Sequence, residues 1–156
     1  MFRDGAVTLV HRQPILTKLI AELTAGGYDV RTVKCEFDQM RELDDALRSV
    51  LKMEKGWGRD SFNSQMWDLE FPDCKGLVIV LSKIDEYYRV YPTYFWDILD
   101  ILAVHCRKRM LMGERLLVVL QADDRNIKIK DVGAVSPQTG FIEHLKLGGD
   151  SHPKAE

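Results

Sequence analysis

Long apolar segments are absent from this 156-residue sequence, and their absence limits what the protein can be. The longest aliphatic runs, at residues 77–81 and 116–120, are only five residues long, whereas a membrane-spanning helix needs about 20. The first residues also lack the apolar region of a signal peptide. We therefore expect no membrane partner and a cytoplasmic location.

Cysteine is scarce, and the residues that usually hold metals are dispersed. Cys35, Cys74 and Cys106 lie in three separate segments without short ligand spacing, which is typical of reduced thiols in a cytosolic protein. The four histidines are scattered, and no glycine-rich phosphate loop follows a strand. We expect no metal, no cofactor and no enzyme activity, because no nucleophile, base and orienting group stand out together.

Basic charge is limited as well, since the net charge is −2. The strongest cationic run, Arg107-Lys108-Arg109, is interpreted as a solvated helix end, where cations are favourable to the helix dipole. Lys128 and Lys130 alternate with isoleucines and are interpreted as the exposed side of an edge strand. No direct binding to nucleic acid is therefore expected.

Alternating strand and helix patterns are what the sequence does contain. Apolar or alternating runs predict strands at residues 7–10, 28–36, 77–81 and 116–120. Helical spacing predicts helices that begin at Pro14, near residue 39, near residue 61 and at Tyr94. Asp38 is the predicted cap of the second helix, and Asp60 or Ser61 that of the third.

Strands separated by helices need crossover connections, which favour a parallel sheet. The sequence therefore predicts a small three-layer α/β domain over residues 1–156, with a mostly parallel sheet flanked by helices. Residues 126–132 are a possible added strand, and residues 141–147 a possible short element, before a frayed tail.

Residues 56–71, GWGRDSFNSQMWDLEF, combine aromatic and acidic side chains. From Trp57 to Asp73, four carboxylates and the single cation Arg59 give a net charge of −3. One interpretation is a capped helix with a solvated acidic face. The other is a protein-binding surface, in which aromatic side chains anchor a partner and acidic groups attract its cations. A glycosidase-like pair of carboxylates is less favoured, because nothing indicates a sugar-binding cleft.

Four segments in order resemble the barstar family of small cytoplasmic ribonuclease inhibitors. The segments are LDDALRSVLKMEKGWGRD, FNSQMWDL, GLVIVLSKIDEY and FWDILDILAVHCRKRMLMGERLLVVLQ. The resemblance covers residues 28–124, which leaves residues 1–27 as an N-terminal strand-helix extension and 125–156 as a C-terminal extension and tail. It implies a barstar-like fold and a non-catalytic inhibitor or immunity protein.

The resemblance also implies a site, in which inhibitor carboxylates replace RNA phosphates in the active-site groove of a basic ribonuclease toxin. Asp68 would be the central acid, and Gly58 would allow close approach of the backbone. The expected partner-binding residues are Trp57, Gly58, Arg59, Asp60, Asn63, Ser64, Trp67, Asp68 and Asp97.

This sequence departs from the family pattern in the spacing between Gly58 and Trp67-Asp68, which is about two residues longer than usual. Asp68 could therefore be rotated around the helix away from the expected direction. The alternative hypothesis is a barstar-like fold used as a general protein-interaction module for a partner that is not a nuclease.

Overall fold

The structure is a computed structural model that describes residues 7–132 and the backbone of residues 138–139. Its strands are β1 (Val7–Val10), β2 (Tyr28–Lys34), β3 (Gly76–Ser82), β4 (Leu116–Gln121) and β5 (Gln138–Thr139). Its helices are α1 (Gln13–Ala25), α2 (Arg41–Val50), α3 (Arg59–Trp67), α4 (Asp85–Val90) and α5 (Pro92–Leu111).

The sheet has the order β2-β3-β4-β1-β5, and every pairing among the described strands is parallel. All seven residues of β3 and all six of β4 are buried, which explains why both strands are almost wholly apolar. The predicted parallel α/β fold is confirmed.

Helices cover the two faces of the sheet unequally. Alternate residues of a strand point to opposite faces, so Val78 and Val80 pack with Leu16 and Leu19 of α1. The neighbouring positions, such as Ile79, belong to a larger core that includes residues from α2, α3, α4 and α5. The three layers are therefore α1, the sheet, and the group of four helices that carries the candidate site.

The N-terminal extension is an integral part of this sheet. β1 lies between β4 and β5, and its register pairs Val7 with Val118. α1 has Pro14 in its first turn and is capped by Gly26, after which Gly27 takes a φ of 97°. This left-handed conformation favours glycine, so the Gly26-Gly27 pair ends the helix.

Both predicted helix caps are wrong. α2 begins at Arg41, and the carboxylate of Glu42 accepts the N–H groups of Asp38 and Gln39, at 3.1 and 2.7 Å. The Asp38 side chain therefore does not cap the helix. α3 begins at Arg59, directly after Gly58, so Asp60 and Ser61 already lie in its first turn.

The segment after β4 also differs from expectation. Residues 126–131 form no strand, and Ile127 and Ile129 pack against the larger core. Lys130 lies over the ring of Trp96, with its Nζ 5.2 Å from the ring centroid. Packing on α5, rather than pairing with a strand, therefore explains the alternating pattern. The predicted element at 141–147 lies outside the described residues.

α4 was not predicted, because its six residues are too short for helical spacing to stand out. It carries Tyr87, which is buried and donates to the backbone carbonyl of Met40. Among the helices of the described residues, none has the length and apolar character needed to cross a membrane.

Candidate functional site

The loop between α2 and α3 is shaped by two glycines. Gly58 has a φ of 101°, a left-handed conformation that favours glycine. A Cβ on Gly56 would lie 2.7 Å from Nη1 of Arg48 and 2.9 Å from Oγ of Ser61. The loop thus takes a turn at Gly58 and passes tightly against the Arg48 guanidinium at Gly56.

A buried ion pair, Asp44 with Arg48, lies beneath this loop. Nε of Arg48 donates to Oδ1 of Asp44, and the side chains are 3% and 0% exposed. Oδ2 of Asp44 also accepts the Gly58 N–H and the Tyr94 hydroxyl, both at 3.1 Å. One carboxylate therefore connects α2, the loop and the start of α5.

Tyr94 remains a hydrogen-bond donor in this arrangement. Burial, followed by the negative charge of Asp44, raises the pKa of the Tyr94 phenol above its ordinary value. A protonated hydroxyl is what the Asp44 carboxylate needs as a partner, because the carboxylate can only accept.

Sequence analysis missed the Asp44–Arg48 pair, although the pattern contained a signal for it. Asp44 and Arg48 lie on the buried side of α2. Leu43, Leu47 and Leu51 share that side. Charged residues at i and i+4 that continue an apolar stripe indicate a buried pair rather than a solvated one.

Trp57, at the N-terminal end of α3, is 41% exposed. Its ring stacks on Tyr94 with centroids 5.3 Å apart and an interplanar angle of 22°. The guanidinium carbon of Arg41 lies 5.1 Å from the indole centroid. Contacts with α5 and α2 thus position the indole while much of it stays accessible.

The middle of α3 faces α5 across a small cleft of about 180 Å³. Arg59, Asp60 and Asn63 line the α3 side, and Asp100 is the carboxylate on the α5 side. Asp97 lies one helical turn before Asp100 and is half-buried. Two predicted acids, Asp60 and Asp97, are thereby brought to the same side of the molecule. Ser64 is exposed and is not among the residues that line the cleft.

The C-terminal half of α3 is held by His105 of α5. Nε2 of His105 lies 2.8 Å from Oδ1 of Asn63, and because an amide oxygen only accepts, we assign the proton to Nε2. Trp67 is 52% exposed and meets the His105 ring edge-on, with centroids 4.9 Å apart. Lys108 lies over the same indole, with Nζ 4.9 Å from its centroid.

His105 is kept neutral by its surroundings. Burial, and then the positive charges of Arg109 and Lys108, lower the pKa of His105 to about 4. At neutral pH the imidazole is therefore an uncharged packing and hydrogen-bonding group. The side chain is only 1% exposed, so His105 is part of the core.

Arg109 corrects the interpretation of the Arg107-Lys108-Arg109 run as wholly solvated. Its side chain is buried, with Nη2 donating to the carbonyls of Met66 and Leu69 at 3.0 and 3.1 Å. Nη1 donates to Glu114 at 2.8 Å. The cation satisfies carbonyl groups at the end of α3 that have no helical partner, so it has a structural role.

The structure does not bring Asp68 together with Asp60 and Asp97. α3 ends at Trp67, and Asp68 follows as its C-cap. Asp68 lines a different cleft of about 570 Å³, which it shares with Asp29 and Glu70. The acidic segment of the sequence is therefore divided between a cleft beside the first half of α3 and a cleft at its C-terminal end.

One surface contains six of the predicted residues, Trp57, Arg59, Asp60, Asn63, Trp67 and Asp97. We call it the Trp57–Trp67 face. It follows α3 alongside α5, with a tryptophan at each end and the carboxylates between them. Phe62 and Met66 are fully buried on the other side of the helix.

No protein-family model matches this chain, and no curated protein matches it significantly. Among the residues described, no three His, Cys, Asp or Glu side chains are grouped so that they could hold a metal ion.

Proposed function

We propose that this protein is a non-catalytic, barstar-like inhibitor or immunity protein that blocks the active site of a basic microbial ribonuclease. In this proposal the Trp57–Trp67 face is the inhibitory surface. The observation that carries the proposal is the arrangement of two accessible tryptophans around a pair of carboxylates, Asp60 and Asp97, on a face that buried groups hold in position.

The two tryptophans are suited to anchor a partner. Trp57 precedes Gly58, the cap of α3, and Trp67 is the last residue of the helix, whose nine residues span about 14 Å. This length fits within one side of an interface of ordinary size. Large aromatic side chains dominate the energy of many interfaces. Trp57 and Trp67 are each supported by a ring of α5, so little freedom remains to be lost on binding.

The carboxylates supply negative charge that the cations of a ribonuclease active site could bind. The active-site groove of a ribonuclease binds RNA phosphates through cations, and carboxylates between two anchors can take the place of those phosphates. Asp60 is exposed and Asp97 half-exposed, so both are available to a partner. The resemblance of residues 28–124 to the barstar family gives the proposal its nuclease partner.

A cytoplasmic location is part of the same proposal. Cys35 and Cys106 are buried and Cys74 is exposed, and all three are free thiols. Free thiols are usual in reducing compartments. Such an inhibitor would protect the cell that makes it from a toxin acting on cellular RNA.

The test is a titration of the protein into a barnase-type ribonuclease while RNA cleavage is followed. We expect cleavage to be lost at a one-to-one ratio. Asp60→Lys and Asp97→Lys should each weaken inhibition by about tenfold or more, since like charges would meet across the interface. Glu22→Lys, an equal charge change on α1 across the sheet, is the control and should leave inhibition unchanged.

Asp68 provides a second comparison within the same assay. Asp68→Lys should weaken inhibition less than Asp60→Lys, because Asp68 lies outside the Trp57–Trp67 face. If Asp68→Lys has the larger effect, the partner covers the C-terminal end of α3 instead. If no variant alters an observed inhibition, the proposed surface is wrong.

A general interaction module is the second candidate. The observation that favours it is the charge around Trp57, where Arg41 lies over the indole. A partner of this surface would meet cations as well as carboxylates, which a uniformly basic groove does not match. Absence of inhibition, together with binding of another protein that Asp60→Lys abolishes, would support this candidate.

A further inference from the structure

A third cleft lies beside Trp57, between α2 and the loop that leads to α3. It has a volume of about 710 Å³. One wall is α2, and the other is the loop that leads to α3. Its lining includes Arg41, Asp45, Arg48, Lys55, Gly56 and Trp57. We call this the basic cleft.

The charge of the basic cleft is opposite to that of its neighbours. Three cations and one carboxylate, Asp45, line it. By contrast, four carboxylates and two cations line the cleft that contains Asp68. Arg48 is paired with Asp44, so it is Arg41 and Lys55, against Asp45, that make the rim of the basic cleft positive in a chain whose net charge is −2.

Arg48 gives the basic cleft an interior donor group. Nε of Arg48 is committed to Asp44, but Nη1 makes only a long contact of 3.4 Å with the carbonyl of Glu54. Nη2 likewise reaches Asp44 and the Gly58 carbonyl at 3.5 Å each. Strong charge-assisted hydrogen bonds are about 2.7–2.9 Å long, so these contacts are long, and the second N–H of Nη1 has no acceptor among the described residues.

Two further features keep cations at the cleft. Gly56 has no Cβ to push the Arg48 guanidinium away, since a Cβ there would lie 2.7 Å from Nη1. Arg41 is held at the Trp57 ring, 5.1 Å from its centroid, an arrangement that favours a fixed cation. Lys55 is exposed in the opposite wall.

We propose that the basic cleft is a binding site for an oxyanion, either a phosphate group or a carboxylate. Arg41 and Lys55 would bind the anion at the entrance, and Nη1 of Arg48 would donate to it from within. Guanidinium groups match the planar geometry of both anions. The site rests on the geometry of the cleft alone and does not depend on ribonuclease inhibition.

The test is a titration of the full chain with inorganic phosphate and, separately, with acetate, followed by the amide and arginine Nε–H signals in NMR spectra. Ionic strength is held constant with sodium chloride. We expect saturable shifts at Gly56, Trp57 and Arg48, with a dissociation constant on the order of 1 mM for the preferred anion. Preference for phosphate would indicate a phosphate-bearing ligand, and preference for acetate an acidic side chain.

Substitutions at the rim of the basic cleft distinguish a specific anion-binding site from nonspecific charge attraction. Arg41→Gln combined with Lys55→Gln should weaken binding by about tenfold or more, whereas Asp45→Asn should tighten it. The control is Lys18→Gln with Lys34→Gln, which removes two cations elsewhere and should change little. Shifts that never saturate, or that the control reduces as much as the rim variant does, would overturn the proposal.

Discussion

The two ends of α3 present similar tryptophans that are supported in different ways. Trp57 and Trp67 are both about half exposed, and each contacts a ring of α5 and a cation. Beneath Trp57 lies the ion pair of Asp44 and Arg48, whose side chains are buried. Beside Trp67 lie a neutral histidine and a single buried cation that bonds to helix carbonyls.

The Trp57–Trp67 face is therefore supported by two different buried arrangements, one at each end. At the Trp57 end, Asp44 and Arg48 neutralise each other, so the loss of one leaves the other as an unpaired charge in a medium of low dielectric constant. At the Trp67 end, Arg109 is bonded mainly to neutral carbonyls and His105 is uncharged at neutral pH. The two ends should therefore respond differently to mutation and to pH.

The largest effect should come from breaking the Trp57 end with Asp44→Ala. The substitution leaves the Arg48 guanidinium buried without its carboxylate, which costs about 3–5 kcal/mol of unfolding free energy. Urea denaturation measures the loss. Asp45→Ala, at the exposed neighbouring position, is the control, with an expected change within about 0.5 kcal/mol. A similar loss in both variants would contradict a special role for the buried pair.

At the Trp67 end, Arg109→Leu should lower the free energy of unfolding by a smaller amount, about 2–3 kcal/mol. The leucine fills part of the space but leaves the carbonyls of Met66 and Leu69 without their donor. Denaturation again gives the free energy, and hydrogen exchange should show faster opening in the last turn of α3. Lys108→Ala, one residue earlier and exposed, is the matched control. Unchanged exchange in α3 would refute the proposed support.

Lowering the pH should affect the two ends differently, because only the Trp67 end contains a histidine. The pKa of His105 is about 4 in the folded protein against an ordinary 6.5, so the unfolded chain binds more protons between these values. Stability is therefore lost as the pH falls from about 6.5 towards 4. The loss from His105 alone should be about 2 kcal/mol at pH 5.

The His105 contribution is isolated by comparison with His105→Gln, which retains an amide donor for Asn63. Stability curves of the two proteins should converge as the pH is lowered, since the variant lacks the titrating group. Parallel curves between pH 7.5 and 5 would show that His105 is not held neutral by burial.

The smallest effects should come from the cations over the tryptophans. Arg41→Ala and Lys108→Ala each remove an exposed cation–π contact worth about 0.5–1 kcal/mol. We expect similar small losses at the two ends, measured by thermal denaturation. A loss above about 2 kcal/mol in either variant would mean that the cation also supports the buried layer beneath the indole.

Most of the fold was predictable because its signal is local. The aliphatic runs of β3 and β4, and the helical spacing after Pro14, each identify an element from a few consecutive residues. The cap of α3 was not predictable in this way, because the Gly58 N–H is bound by Asp44, fourteen residues away. α4 was missed since six residues give too short a pattern.

The candidate site was predicted as a list of residues but not as an arrangement. The resemblance to the barstar family pointed to Trp57, Asp60, Asn63 and Trp67, which the structure places on one face. It grouped Asp68 with them, whereas the end of α3 at Trp67 directs Asp68 to another cleft. Arg109 appeared as part of a solvated run because its acceptors lie at least 40 residues away in the chain.

The sequence by itself determined the parallel α/β sheet and the exposed aromatic and acidic character of residues 56–71. Both follow from hydrophobic periodicity and composition, which act between near neighbours. Only the tertiary structure decided which charges are buried, where the acidic segment divides, and that a basic cleft lies beside Trp57. These features depend on dielectric surroundings and on contacts between distant residues, which exist only when the helices have packed on the sheet.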